Sequence, residues 1–274
     1  MKDYAYFHIP PEELGRDARL KIQKLGDSGE VFYEIAMEMI EEIRRNNAVG
    51  KKTVFICPVG PVGQYPIFVR LVNAQNLSLK NVWFINMDEY LDEASQWISK
   101  DHPLSFRGFM DRKVYSKIRS DLVMPENQRI FPDPENTADV PQLIEKLGGV
   151  DIAFGGIGIN GHIAFNEPQE ELSPEAFAQL PTRVLDISRE TRTINAVGDL
   201  NGAIEAMPKR CVTLGMKEIL GARKIRLYCF REWHRAVVRQ TAYGEVSAAF
   251  PATLVQLHPD ALLTLNHIAA QKAF

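Results

Sequence analysis

The stretch Gly155–Pro168, GGIGINGHIAFNEP, decides how this chain is read. Four glycines and one asparagine fall within its first seven positions. Just upstream, the apolar run Val150-Asp151-Ile152-Ala153-Phe154 predicts a buried strand. A strand that runs into a glycine-rich turn leaves backbone N–H groups at the sheet's carboxyl edge, where open α/β sheets bind ligands. His162, Asn166 and Glu167 close the stretch, and an imidazole beside a carboxylate can exchange protons near neutral pH. Taken alone, the same pattern also describes a plain turn with a packed histidine, because G-x-G is weak evidence. Gly156, Gly158 and Gly161 do fit G-x-G-x-x-G. They sit mid-chain, however, and no second βα unit with an acidic residue about 20 positions on follows, so no dinucleotide site is expected. His162 and Glu167 lack the partner that an H-E-x-x-H zinc site needs.

Working outward, strand and helix patterns alternate. Val31, Ile35, Met39 and Ile40 recur at helical spacing over 28–46. Thr53–Cys57 reads as a buried strand, followed by the loop PVGPVGQYP at 58–66 and a helical stretch carrying Ile67, Val69, Leu71 and Val72. Val82–Ile85 is the next strand and ends in Asn86-Met87-Asp88-Glu89-Tyr90. A polar segment over 91–105, a helix near 106–118, a loop over 124–138 and a helix over 139–147 lead to the strand at 150–154. Beyond the glycine turn we expect a strand over 183–187, a helix within 207–221, a strand over 225–230, a helix from about 232 and a strand over 261–265. Strands separated by helices imply parallel β-α-β units in a layered sheet. No linker divides the chain, so residues 1–274 are expected to form one domain.

Composition narrows the function classes. The 274 residues are 45% hydrophobic and 24% charged, with a net charge of −3, which gives no reason to expect nucleic acid as a partner. Cys57, Cys211 and Cys229 are odd in number, far apart and without C-x-x-C spacing, which fits a reducing compartment such as the cytoplasm. The N-terminal MKDYAYFHIPPEEL has no apolar leader core, and no apolar run approaches the roughly 18–20 residues of a membrane span.

Several motifs together resemble the glucosamine-6-phosphate deaminase family. They are Asn86–Tyr90, His102-Pro103-Leu104-Ser105-Phe106, the GGIGINGHIAFNEP stretch, Met207-Pro208-Lys209 followed by Val212-Thr213-Leu214-Gly215, and Val255-Gln256-Leu257-His258-Pro259. Their order and spacing fit from about residue 50 to the end. The resemblance implies a three-layer α/β/α, Rossmann-like fold. It also implies an aldose–ketose isomerisation with loss of ammonia from a 2-amino-sugar 6-phosphate, gluco or galacto in configuration, without metal or organic cofactor. Carried over by position, Asp88 shuttles the C2 proton, His162 opens the sugar ring, and Glu167 supports the histidine. Glu89, Gly60, Gly63, Gln64, Gly156, Gly158 and Gly161 would shape the substrate site. The family's range of assemblies leaves homo-oligomerisation open.

The sequence also departs from the family. Asn160 stands where many relatives have Asp; it can hydrogen-bond the imidazole but adds no charge, so His162 should be less basic than with Asp. The phosphate loop Pro58–Gln64 is one residue longer, keeps two glycines, loses both hydroxyls, and has Pro61 without an N–H. Thr191-Arg192-Thr193-Ile194-Asn195 matches a family segment, but the phosphate-binding arginine falls on Val197. Arg192 could compensate. The family's phosphate lysine falls on Arg235, with His234 beside it as a further donor. Leu185 replaces a lysine near Arg183, so no activation by an N-acetylated sugar phosphate is expected there. The alternatives are an isomerase for another, unphosphorylated sugar, and a non-catalytic sugar-phosphate sensor. Against the sensor, Asp88, His162 and Glu167 are all kept and no basic recognition helix precedes them.

Overall fold

The computed structural model describes residues 4–274, so the first three residues of the N-terminal stretch lie outside it. In chain order the elements are β1 (Lys21–Leu25), α1 (Ser28–Ala48), β2 (Thr53–Cys57), α2 (Gln64–Ala74), β3 (Val82–Asn86), β4 (Asp88–Leu91), α3 (Phe106–Lys113), β5 (Arg129–Ile130), α4 (Asp139–Leu147) and β6 (Ile152–Gly156). There follow α5 (Pro174–Ala178), β7 (Arg183–Asp186), α6 (Arg189–Asp199), β8 (Arg210–Thr213), α7 (Met216–Leu220), β9 (Lys224–Cys229), α8 (His234–Tyr243), β10 (Ala261–Asn266) and α9 (His267–Ala270).

Seven strands form one parallel sheet in the order β1-β10-β9-β6-β2-β3-β5. Its strands are apolar on both faces because both faces are covered. Along β2, Val54 and Ile56 join one core cluster while Phe55 and Cys57 join the other, the period of two expected of a pleated strand. One face carries α1, α2 and α3, the other α4, α5, α7, α8 and α9, giving the three layers. Helix α1 starts where the Asp27 side chain accepts from the Glu30 N–H at 2.9 Å, and Val31, Ile35, Met39, Ile40 and Ile43 form its buried stripe.

The chain leaves β2 for β3 on one side and comes back to β6 on the other side of β2. The turns after β2 and β6 therefore lie side by side at the carboxyl edge, at the point where open α/β sheets form a ligand crevice. Their contact is close: a Cβ on Gly156 would stand 3.3 Å from the Gly60 carbonyl oxygen.

Two expectations are corrected, and one strand the sequence reading did not pick out is added. Part of the segment read as a helix within 207–221 is strand β8, and the helix is confined to α7. Strand β8 pairs antiparallel with both β4 and β7, and this small sheet gives its backbone groups partners that a helix would not. Asp88–Leu91 is accordingly a strand of that sheet rather than a loop end. The first 50 residues supply the edge strand β1 beside β10. Boundaries also move. Strand β6 begins two residues later than read, because Asp151 is tied down by Val54 N–H, Lys51 and Arg223. Helix α3 ends at Lys113, and α2 already begins at Gln64. Among the described residues no helix is long and apolar enough to cross a membrane.

Candidate active site

A cavity of about 460 Å³ opens where the β2 and β6 turns meet. Asp88, Tyr90, Gly156, Gly158 and His162 line one part, and Val59, Gly60, Pro61, Val62 and Gly63 from the β2 turn line another. The sequence-predicted Asp88 and His162 thus line one cavity although 74 positions separate them in the chain.

Asp88 opens strand β4 and is 7% exposed. Its carboxyl group makes no hydrogen bond with any described residue. Burial pushes its pKa well above the ordinary carboxylate range, and the neighbouring Glu89 charge adds to the shift. Strand alternation sends Glu89 the other way. Its oxygens accept from the Tyr90, Phe106 and Arg107 N–H groups and from Ser105 Oγ at 2.9–3.1 Å, and Arg107 Nε lies 3.4 Å away. Burial raises its pKa, and the backbone donors offset part of that shift. Glu89 therefore fixes β4 to the start of α3 and does not line the cavity.

His162 is positioned by the glycines around it. A Cβ on Gly158 would stand 1.9 Å from His162 Cε1, so only glycine leaves room for the ring. Gly161 takes φ +85°, where a side chain would also strike Phe250 at 2.6 Å. His162 Nδ1 lies 2.7 Å from Asn160 Oδ1, and Asn160 Nδ2 donates to Glu167 Oε2 at 2.8 Å. Glu167 also accepts from Thr191 Oγ1 at 3.1 Å and from the Ser188 N–H at 3.2 Å, at the start of α6. A carboxylate there faces the positive end of the helix dipole. An amide can serve both neighbours in one way only: its oxygen accepts from His162 Nδ1–H and its nitrogen donates to Glu167. This fixes the imidazole tautomer and leaves Nε2 with the lone pair. Burial lowers the His162 pKa, while Glu167, 3.9 Å from Nδ1, acts in the opposite sense.

The groups expected at the phosphate end are placed differently. Arg235 is outside the cavity wall; its Nε donates to the Ile268 carbonyl at 3.2 Å and its Nη2 lies 3.7 Å from Glu232. Arg192 does not line the cavity either, and its Nε is buried without a partner. Gln64 turns inward to donate to the Pro61 carbonyl. His234 lines the cavity but has no spare donor. Its Nδ1 accepts from the Phe230 and Arg231 N–H groups at 3.0 Å each, and its Nε2 meets the Ile157 carbonyl at 3.1 Å. Burial lowers its pKa to about 3, so the ring is neutral. The cation at this end is Arg231, which the sequence reading missed; the available signal was its place two residues beyond β9, on the ligand-binding edge. Phe32, Phe230 and Trp233 give the same region an aromatic wall. Ile194, Asn195 and Asp199 of α6 and Phe106 and Phe165 also line the cavity; none of them was expected among the site residues.

A scan against models of known protein families finds no match. Individual proteins do match. A Clostridium perfringens (strain 13) glucosamine-6-phosphate deaminase is 32% identical over 243 residues, covering 86% of this chain and 92% of that one. A Shewanella loihica protein of the same name is 33% identical over 260 residues, covering 92% and 90%. The chain belongs to the glucosamine-6-phosphate deaminase family. Among solved structures, a monomeric glucosamine-6-phosphate deaminase superposes with a TM-score of 0.77 at 28% identity, over 92% of this chain and 99% of that one. A 6-phosphogluconolactonase from Shewanella baltica OS155 shares the fold, with a TM-score of 0.61 at 16% identity over 92% and 99%. Asp88 and His162, both quoted in the sequence motifs, are thus brought to the same cavity.

Proposed function

We propose that the protein is an amino-sugar phosphate isomerase-deaminase, converting a 2-amino-2-deoxyhexose 6-phosphate to the ketose phosphate and ammonia. The observation that carries this reading is Asp88 and His162 lining one cavity in complementary states: an unpaired carboxyl group of raised pKa and an imidazole held neutral with Nε2 free. In the first step Nε2 takes the proton from the O1 hydroxyl and returns it to the ring oxygen as the C1–O5 bond breaks. The ionised Asp88 then removes the C2 proton while the substrate's own ammonium group protonates O1, giving the enolamine, and Asp88 delivers the C2 proton to C1. Water adds to the resulting imine at C2, and ammonia leaves. Once ionised, a carboxylate of raised pKa is a stronger base for this carbon proton than an ordinary one. Asn160 and Glu167 touch no reacting atom in this scheme; they hold the imidazole tautomer. The three free, buried cysteines support a reducing, cytoplasmic setting.

Ammonia release from glucosamine 6-phosphate, galactosamine 6-phosphate and the two unphosphorylated sugars tests the proposal. We expect activity on a phosphorylated member and its loss in Asp88→Asn. A folded wild-type protein that releases ammonia from no member of the panel overturns it.

A further inference from the structure

The charge at the far end of the cavity points to a seat for the substrate's phosphate that the sequence motifs do not mark. Among the described residues lining the cavity, the charged groups are Asp88, Asp199 and Arg231, with His162 and His234 neutral. Arg231 is thus the one cation available to an anionic substituent. Its guanidinium makes no hydrogen bond or ion pair with a described residue, and lies 5.9 Å over the Phe230 ring. An arginine held by an aromatic face, with its five N–H donors unused, is a receptor for a planar or tetrahedral oxyanion.

The position of Arg231 is also built. The turn that carries it is pinned by His234 Nδ1, which accepts from both the Phe230 and Arg231 N–H groups. From there the side chain reaches across to α6, where Nη1 would stand 3.5 Å from a Cβ added at Gly198. Gly198 itself lines the cavity. Val59, Gly60, Val62 and Gly63 line the same cavity, and their N–H groups donate to no described acceptor. Asp199 is an opposing charge in this cavity; burial raises its pKa and Arg231 acts in the opposite sense.

We infer that Arg231 is the specificity-determining cation of this enzyme, receiving the 6-phosphate of the substrate across the face of Gly198. The inference rests on the amino-sugar phosphate reading above. Arg235 and Arg192, the arginines that the family motifs suggest, take no part in it. Loss of one charge-assisted, bidentate contact corresponds to about a 10- to 100-fold loss of affinity.

The test is calorimetric titration of fructose 6-phosphate and of fructose into wild type, Arg231→Ala and the double variant Arg231→Ala/Val197→Arg. Val197 precedes Gly198 and is the position on which the family's phosphate-binding arginine falls, so the double variant restores a cation there. We expect Arg231→Ala to weaken fructose 6-phosphate at least about tenfold, to leave fructose unchanged, and to be partly rescued in the double variant. In the ammonia assay the same loss should fall on KM rather than kcat. Because Arg231 holds no described partner, the variant's thermal midpoint should match wild type. Unchanged affinity for fructose 6-phosphate in Arg231→Ala overturns the inference. So does a wild type that binds fructose 6-phosphate no better than fructose. Ammonia release by wild type persisting in either case shows that the inference alone has failed, whereas silence across the whole sugar panel removes the functional reading itself.

Discussion

The side-chain oxygen of Asn160 lies 2.7 Å from His162 Nδ1 while its nitrogen lies 2.8 Å from Glu167 Oε2, so a neutral amide connects an imidazole to a carboxylate. In Asn160→Asp two carboxylates would meet where a donor–acceptor pair stood. The added charge beside the ring should raise the His162 pKa. The acid limb of kcat/KM should then move to higher pH, since the neutral ring is the active form. The carboxylate pair takes up a proton more readily folded than unfolded, so the variant should be least stable relative to wild type at high pH. Chemical denaturation at pH 8 and pH 5.5, with NMR titration of the imidazole, checks both. An unmoved His162 titration would contradict this account.

Asp88→Asn separates activity from stability. Removing the carbon base should lower kcat by about 10²- to 10⁴-fold. The same change should stabilise the fold. The Asp88 pKa is raised on folding, so the native state binds more protons than the unfolded chain between the ordinary carboxylate value and the folded one. Its contribution to stability is lost as pH rises through that window, leaving a penalty at neutral pH. Asparagine has no charge to bury. A gain of about 0.5–2 kcal/mol at pH 7.5 is expected, shrinking toward zero below pH 4. A loss of stability at pH 7.5 would contradict the burial argument.

Gly158→Ala tests how tightly the ring is placed. The new methyl group would fall on His162 Cε1, so the ring must turn away from Asn160. A displacement of this size should lower kcat about 10²-fold. Gly158 is absent from the positive-φ residues, so the backbone itself admits alanine. Circular dichroism should therefore be unchanged while the His162 resonance shifts. Near-wild-type turnover would mean that His162 need not occupy this position.

What the chain disclosed and what it concealed have physical causes. Strands β2 and β6 were legible because strands buried on both faces are continuous apolar runs, and the glycine turn stood out because each glycine answers a steric need. Strand β4 was hidden: Asp88-Glu89-Tyr90-Leu91 is half polar, and its partner β8 lies more than 100 positions away. Asp88 and His162 could be named from motifs, whereas Arg231 could not, because its direction depends on a turn fixed by His234. Arg235 shows the reverse. Its place at the start of α8 was read correctly, yet the helix turns it toward the Ile268 carbonyl.

His234 makes the last prediction, on acid stability. Folded, it stays neutral down to about 3; unfolded, it takes a proton near 6.5. Below that value the unfolded chain binds more protons, so the stability His234 contributes is fully present above pH 6.5 and drains away as pH falls toward 3. In His234→Ala this part of the slope should vanish, leaving a shallower decline to which His162, also depressed, contributes in the same sense. At pH 8 the variant should be weaker by about 1–3 kcal/mol, since the Phe230 and Arg231 N–H groups and the Ile157 carbonyl lose their partner. The two stability curves should converge as pH drops. Because the turn carrying Arg231 loosens, KM for the phosphorylated substrate should rise as well. Urea midpoints from pH 8 to pH 4 measure the convergence; parallel curves would show that His234 titrates alike in the folded and unfolded chain.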